Sequence, residues 1–156
     1  MKFPKTKKKE ITMDIKASIS CANPDGTISM IYCLQIDLYW ISQILTLYYK
    51  DYDRVKKLIE VGNLESIGRY LNEGPLEFDR IFQEVGKYRI DQSICIPYEH
   101  EKNSDNKALT FSSITEWQTE VTSRFSYNYI FDKGEWYQLY HEYDKDFIYL
   151  KLNLQS

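Results

Sequence analysis

The sequence predicts an α+β domain: an N-terminal β-hairpin, central helices and a C-terminal antiparallel β-meander packed with helices. Three observations predict it. Apolar and polar residues alternate on both sides of Asp25-Gly26; apolar residues recur at helical intervals after Leu38 and again after Ser113; and alternation returns from Ser126 to Leu152 across two turn sequences.

In the first segment Ile15, Ala17, Ile19 and Cys21 alternate with Lys16, Ser18 and Ser20, the period of a half-buried strand. Asn23-Pro24-Asp25-Gly26-Thr27 follows, and Asp-Gly between two such runs signals a tight hairpin. A two-residue loop at Asp25-Gly26 sets Ile15, Ala17, Ile19 and Cys21 opposite Ile36, Leu34, Tyr32 and Met30, which makes one face almost wholly apolar. That register places Cys21 and Cys33 on opposite faces, where no disulfide can join them.

Leu38 to Lys50 reads as a strongly apolar helix. Asp51 or Asp53 caps a second helix, which carries Val55, Leu58 and Ile59 on one side and stops at Gly62. Asn63 is placed to cap a short third helix with Leu64, Ile67 and Leu71, ended by Asn72-Glu73-Gly74-Pro75. Residues 78–85 suit a further helical turn, Ser93 to Tyr98 a strand, and the polar Glu99 to Lys107 a loop. Ser113 and Glu116 have capping-box spacing, and Ile114, Trp117, Val121 and Phe125 then repeat at helical intervals.

The last third reads as three strands: Ser126 to Asp132, Glu135 to Glu142 and Phe147 to Leu152. Two-residue turns align Ile130 with Tyr137, Leu139 with Leu150 and His141 with Ile148. The opposite face then collects Tyr127, Tyr129, Phe131, Trp136, Gln138, Tyr140, Phe147, Tyr149 and Lys151. No internal repeat or second domain is evident.

With 156 residues, 43% hydrophobic and 28% charged, the chain can bury enough surface to fold without disulfides or a structural metal. The formal charge of −3 conceals two parts. Residues 1–12 hold Lys2, Lys5, Lys7, Lys8 and Lys9 against Glu10, a charge of +4, and read as a flexible extension of a single domain over 13–156. The domain carries −7, which argues against direct nucleic-acid binding except through the lysine arm. Cys21, Cys33 and Cys95 are widely spaced and odd in number, as for reduced thiols of a cytoplasmic protein. There is no membrane-spanning run and no apolar signal segment.

Chemistry-bearing constellations are few. His100 lies in the polar loop and His141 among Tyr140, Glu142 and Tyr143. Neither has the spacing of a zinc site or a nucleophile signature, so no catalytic residue, metal or cofactor is assigned. Asp132, Glu135, Glu142, Asp144 and Asp146 gather near the meander turns, either as a solvated set or as an acidic surface for a basic partner. The 14 tyrosines are the abnormal count, and many fall in the meander. Tyrosine and tryptophan combine apolar area with a polar tip and are enriched at binding hot spots. If the helices from Leu38 and Ser113 cover both faces, these aromatics are core. If only one face is covered, Tyr127, Tyr129, Trp136, Gln138, Tyr140 and Tyr149 form a contact surface for a partner or a second copy.

The stretches ISCANPDGTISMIYC, DYDRVKKLIEVGNLESIGRYL and YNYIFDKGEWYQLY resemble a group of small uncharacterised proteins of bacteriophages and bacterial mobile elements. The match covers Ile19 to Cys33, Val55 to Gly68 and Tyr127 to Tyr137; Gln35 to Trp40 departs from the group's Trp-Asp-Gly-Tyr segment. The resemblance implies a start near Met13. By analogy of context it also implies a non-enzymatic accessory protein that binds and inhibits a host defence protein or ribonucleoprotein complex, CRISPR or another anti-phage system, in the host cytoplasm. Two other classes are a sponge holding a nucleotide signal, with Arg69, Arg80, Arg89 or Arg124 meeting phosphates, and a small hydrolase using His141 with a carboxylate.

Overall fold

A computed structural model describes residues 16–34, 37–71, 73–86, 93–98, 107–141 and 146–153. The lysine arm, Met13, Gln35, Ile36, Arg89, His100, Glu142 and Asp144 lie outside these residues.

The Asp-Gly signal does form a hairpin, between β1 (Ala17–Ala22) and β2 (Ile28–Cys33). Its loop is one residue longer than expected. The Asn23 amide donates to the Thr27 carbonyl at 2.8 Å and that of Gly26 to the Asn23 carbonyl at 3.0 Å, so Pro24, Asp25 and Gly26 form the loop. Gly26 closes it at φ +91°, a left-handed geometry in which a side chain would be strained. The extra residue shifts the register: Ala17 pairs with Cys33, Ile19 with Ile31 and Cys21 with Ser29. Cys21 and Cys33 therefore share a face, contrary to expectation. They stand four residues apart along the ladder, roughly 13 Å at strand rise and beyond disulfide reach. Both are free thiols, as is Cys95.

Helix α1 (Leu38–Tyr48) starts at Asp37, whose side chain accepts from the Trp40 amide, and α2 (Tyr52–Val61) starts at Asp51, which accepts from the Arg54 amide. The carbonyls at the end of α1 are met by side chains from elsewhere: Arg54 Nε donates to the Tyr48 carbonyl at 3.0 Å and Trp136 Nε1 to that of Tyr49 at 2.7 Å.

The third helix expected from Leu64, Ile67 and Leu71 is instead β3 (Leu64–Ser66), parallel to β2 through Cys33 and Leu64. Tertiary pairing overrides the helical spacing. Asn63 caps no helix but accepts the Tyr32 amide at 2.9 Å, and Leu34 donates its amide to the Leu64 carbonyl at 3.0 Å. Gly68 then passes so close to the next segment that a Cβ there would lie 2.5 Å from the Ile94 amide nitrogen. Gly74-Pro75 proves to be a helix start, with Pro75 at the first position of α3 (Pro75–Val85). The strand expected over Ser93 to Tyr98 is reduced to β4 (Ile96–Pro97) and a bridge from Tyr70 to Ile94.

After the unforeseen β5 (Leu109–Phe111), α4 (Ile114–Arg124) begins at Ser113, whose hydroxyl accepts the Glu116 amide at 3.2 Å. The meander is β6 (Tyr127–Asp132), β7 (Glu135–Tyr140) and β8 (Ile148–Lys151). Ile130 faces Tyr137 as expected. The β7–β8 register is displaced by one, with Leu139 opposite Tyr149 and Tyr140 opposite Ile148.

Hairpin and meander are parts of a single mixed sheet, ordered β4-β3-β2-β1-β6-β7-β8, with β5 also paired to β2. The joint is a parallel pairing of β1 with β6, from Ala17 beside Tyr127 to Cys21 beside Phe131. The fold is α+β with helices on both faces. On one face α1 and α2 bury Ala17, Ile19, Cys21, Tyr129, Phe131 and Trp136; on the other α4 buries Ile28, Met30, Ile130 and Leu139 with Trp117, Val121 and Phe125. Central β1 is thus covered on both sides, and the serines that looked solvent-facing are fully buried. Ser18 Oγ donates to Asn128 Oδ1 at 2.5 Å, Asn128 Nδ2 to the Phe125 carbonyl at 3.2 Å, and Trp117 Nε1 to Ser20 Oγ at 2.9 Å, so the buried polar atoms are paired. Among the described residues no helix is long and apolar enough to cross a membrane.

Candidate binding surface

Because both faces of the sheet are covered, the expected continuous aromatic contact face is broken up. Tyr129 and Trp136 are 2% and 4% exposed and belong to the core. Trp136 stands edge-on to Phe131, ring centroids 5.3 Å apart, with its indole nitrogen committed to α1. Tyr127 is half-buried against the same core and Gln138 is half-buried beyond it. Tyr140 is exposed. Tyr149 reaches the opposite face, where its hydroxyl accepts from Gln118 Nε2 of α4 at 2.5 Å; the one-residue displacement of β8 puts it there. Burial pushes the Tyr149 phenol upward, an effect opposed by the Gln118 bond.

The sheet extends past its helices at one end. The outer strands β7 and β8 present Tyr140, Ile148, Tyr149 and Leu150, each between 37% and 50% exposed. Tyr140 and Ile148 are directly paired and Leu150 pairs with Gln138, so Tyr140, Ile148, Leu150 and Gln138 share the α1–α2 side of the sheet, while Tyr149 lies on the α4 side. Around the edge, Ile114, Gln118, Ile130, Asp132, Tyr137 and Tyr149 line a hollow of about 400 Å³. Among the described residues no strand pairs with the outer edge of β8. Ile148, Leu150 and Ile114 were not singled out from the sequence. Their signal, an apolar side chain at each alternate position of a final strand, depends on a register that the sequence leaves open.

Of the acidic residues, Asp132 and Glu135 pair across the Lys133-Gly134 turn, and Glu135 meets Lys151 at 2.8 Å. Glu135 is thus partly neutralised on the surface. Asp146 is exposed beside Phe147. His141 is exposed and stacks on Phe147, centroids 4.4 Å apart; among the described residues no carboxylate bonds to it. Nor do the described residues hold three His, Cys, Asp or Glu side chains close enough to share a metal ion.

A larger cleft of about 1030 Å³ lies between the hairpin loop and α2, with Asn23, Asp25, Tyr52, Lys56, Ile59 and Lys107 in its walls. Tyr52 donates to Asn23 Oδ1 at 2.9 Å, and Asn23 Nδ2 reaches Thr27 and Ser29 at 3.0 Å each. Asp25 accepts the Thr27 hydroxyl and amide at 2.7 and 3.0 Å, which holds its carboxyl below the usual range. Cys21 at the cleft floor is pushed up to about 11 by burial, so it is a protonated thiol at neutral pH and a poor nucleophile.

No protein-family model matches the sequence, and neither a curated protein nor a solved structure matches it.

Proposed function

We propose that this chain is a non-enzymatic accessory protein of bacteriophage type that binds a host defence protein or ribonucleoprotein complex and inhibits it by occupying its surface. The observation that carries this reading is the exposed end of the meander, where Tyr140, Ile148 and Leu150 project beside an edge of β8 that no strand among the described residues pairs with. An apolar aromatic strip at a sheet edge suits a partner that adds backbone pairing and fills the adjoining hollow. The phage resemblance of the hairpin, α2 and β6–β7 segments supplies the class of partner.

The test expresses the protein in a bacterium whose defence system restricts a phage. Wild type is expected to restore plaque formation and to co-purify with a component of that system. Tyr140→Ala combined with Leu150→Asp is expected to lose both effects while melting within about 1 kcal/mol of wild type, as exposed substitutions do. Loss of restriction by wild type and variant alike, or no restoration against any defence system of the host, refutes the surface or the function respectively. Light scattering on the purified protein separates a second copy from a host partner as the occupant of the strip.

A further inference from the structure

The strand registers bring four side chains to the hollow under α4. Ile130 and Asp132 stand two apart on β6, Tyr137 is opposite Ile130, and Tyr149 is opposite Leu139, so all four lie on the α4 side of the sheet. Ile114 and Gln118 of α4 complete the lining. The buried Ile130 supplies its floor and the exposed Ile114 its rim. The bond from Gln118 Nε2 to the Tyr149 hydroxyl ties α4 to β8 and holds the Tyr149 ring in the wall.

Asp132 is the single charged residue in this lining. It is half-buried, and among the described residues no cation pairs with it. Glu135, opposite Asp132, is engaged by Lys151 at 2.8 Å, so those two charges cancel each other. Burial raises the Tyr149 phenol, the Gln118 bond opposes the rise and the Asp132 charge adds to it, which places carboxylate and phenol on a common space. The hollow of about 400 Å³ is near the small end of the roughly 300–1,000 Å³ of ligand pockets, room for one long side chain rather than a cofactor.

Two isoleucines, two phenol rings and one unpaired carboxylate match a side chain with an apolar stem and a planar cationic head. Arginine has both: its methylenes suit the isoleucines, its guanidinium faces stack on tyrosine, and its in-plane donors meet a carboxylate as a fork. Lysine brings the charge without the stacking or the fork. We infer that this hollow is a pocket for an arginine side chain of the partner. The inference rests on the reading of the meander end as a partner surface and gives that partner a chemistry, a basic segment, which the −7 charge outside the lysine arm also favours.

NMR titrations of the purified protein with a blocked Gly-Arg-Gly peptide, and with its lysine and citrulline counterparts, test it through the Gln118 side-chain amide. The arginine peptide is expected to shift that resonance saturably. Citrulline, which keeps the shape and loses the charge, is expected to bind at least fivefold more weakly, and lysine at least twofold. Asp132→Asn is expected to weaken the arginine peptide at least fivefold, and Glu60→Gln, the same loss of charge on α2, less than twofold; thermal melts verify that both variants fold. No saturable shift at Gln118, equal affinity for the arginine peptide and either counterpart, or equal losses in the two variants overturns the pocket. Restoration of plaques by wild type alongside such a result removes the pocket and leaves the inhibitor reading; selective arginine binding without restoration removes the inhibitor reading and leaves the pocket.

Discussion

Trp136 separates a contact residue from a core residue. Replacing it with alanine removes a side chain that is 4% exposed, opens a void beside Phe131 and strips the Tyr49 carbonyl of its indole donor. A large-to-small change of this kind costs about 3–5 kcal/mol, and an orphaned buried acceptor adds about 1–3 kcal/mol where water cannot reach it. Even the lower end of that sum, about 4 kcal/mol, is a large part of the 5–15 kcal/mol typical of a domain, and lowers the melting temperature by at least about 8–16 °C. Trp136→Phe keeps a ring against Phe131 and loses the donor, for about 1–3 kcal/mol. Tyr140→Ala, 44% exposed on the outer part of β7, is expected to cost less than about 1 kcal/mol. Urea unfolding followed by circular dichroism gives all three values on one scale. A Trp136→Ala variant within about 1 kcal/mol of wild type refutes the core assignment and returns Trp136 to the surface.

Three further outcomes are expected. Gly68→Ala drives a Cβ to 2.5 Å from the backbone of Ser93 and Ile94, which cannot swing aside as a side chain does; a loss of about 3 kcal/mol is expected in thermal melts, and a neutral result contradicts the close approach. Cys21, Cys33 and Cys95 are at most 1% exposed, so iodoacetamide at pH 8 should leave the folded protein unlabelled by mass spectrometry and add three groups in denaturant. Burial raises Cys21 to about 11 and Tyr129 to about 12, from ordinary values of 9.0 and 10.0, and moves Tyr32, Tyr49 and Cys95 the same way. Between those values the unfolded chain has released protons that the folded chain still holds. Stability is therefore fully present below about pH 9 and falls as pH rises from 9 toward 12; a urea midpoint that stays flat over that range contradicts it.

Elements defined by local rules were legible in the sequence. The Ser113 cap, the Gly62 stop, the Asp-Gly hairpin and the Ile130–Tyr137 pairing each follow from a few adjacent residues, and each stands in the fold; of the two cap candidates Asp51 and Asp53, Asp51 caps α2. Long-range choices were not legible. Leu64, Ile67 and Leu71 fit a helical face equally well until β2 recruits the segment as a strand. Ser18 and Ser20 mimic a wet face because their partners, Asn128 and Trp117, lie about a hundred residues away. The candidate surface failed for the same reason in miniature: one residue of slip in β8 sends Tyr149 to the α4 side and brings Ile148 and Leu150 beside Tyr140. Composition marked the aromatics; which of them solvent reaches was decided by the helices.

The parallel union of β1 and β6 constrains the order in which this protein comes into being. A chain leaving the ribosome can close its hairpin early, but β1 keeps an open edge until Tyr127 to Phe131 have emerged to pair with it. Until then Ser18 lacks its partner Asn128, and the inner side chains of α1 lack Phe131 and Trp136. Synthesis halted before Tyr127 leaves an adhesive fragment, exposed to pairing with other nascent strands and to chaperones, rather than a smaller working version of the protein.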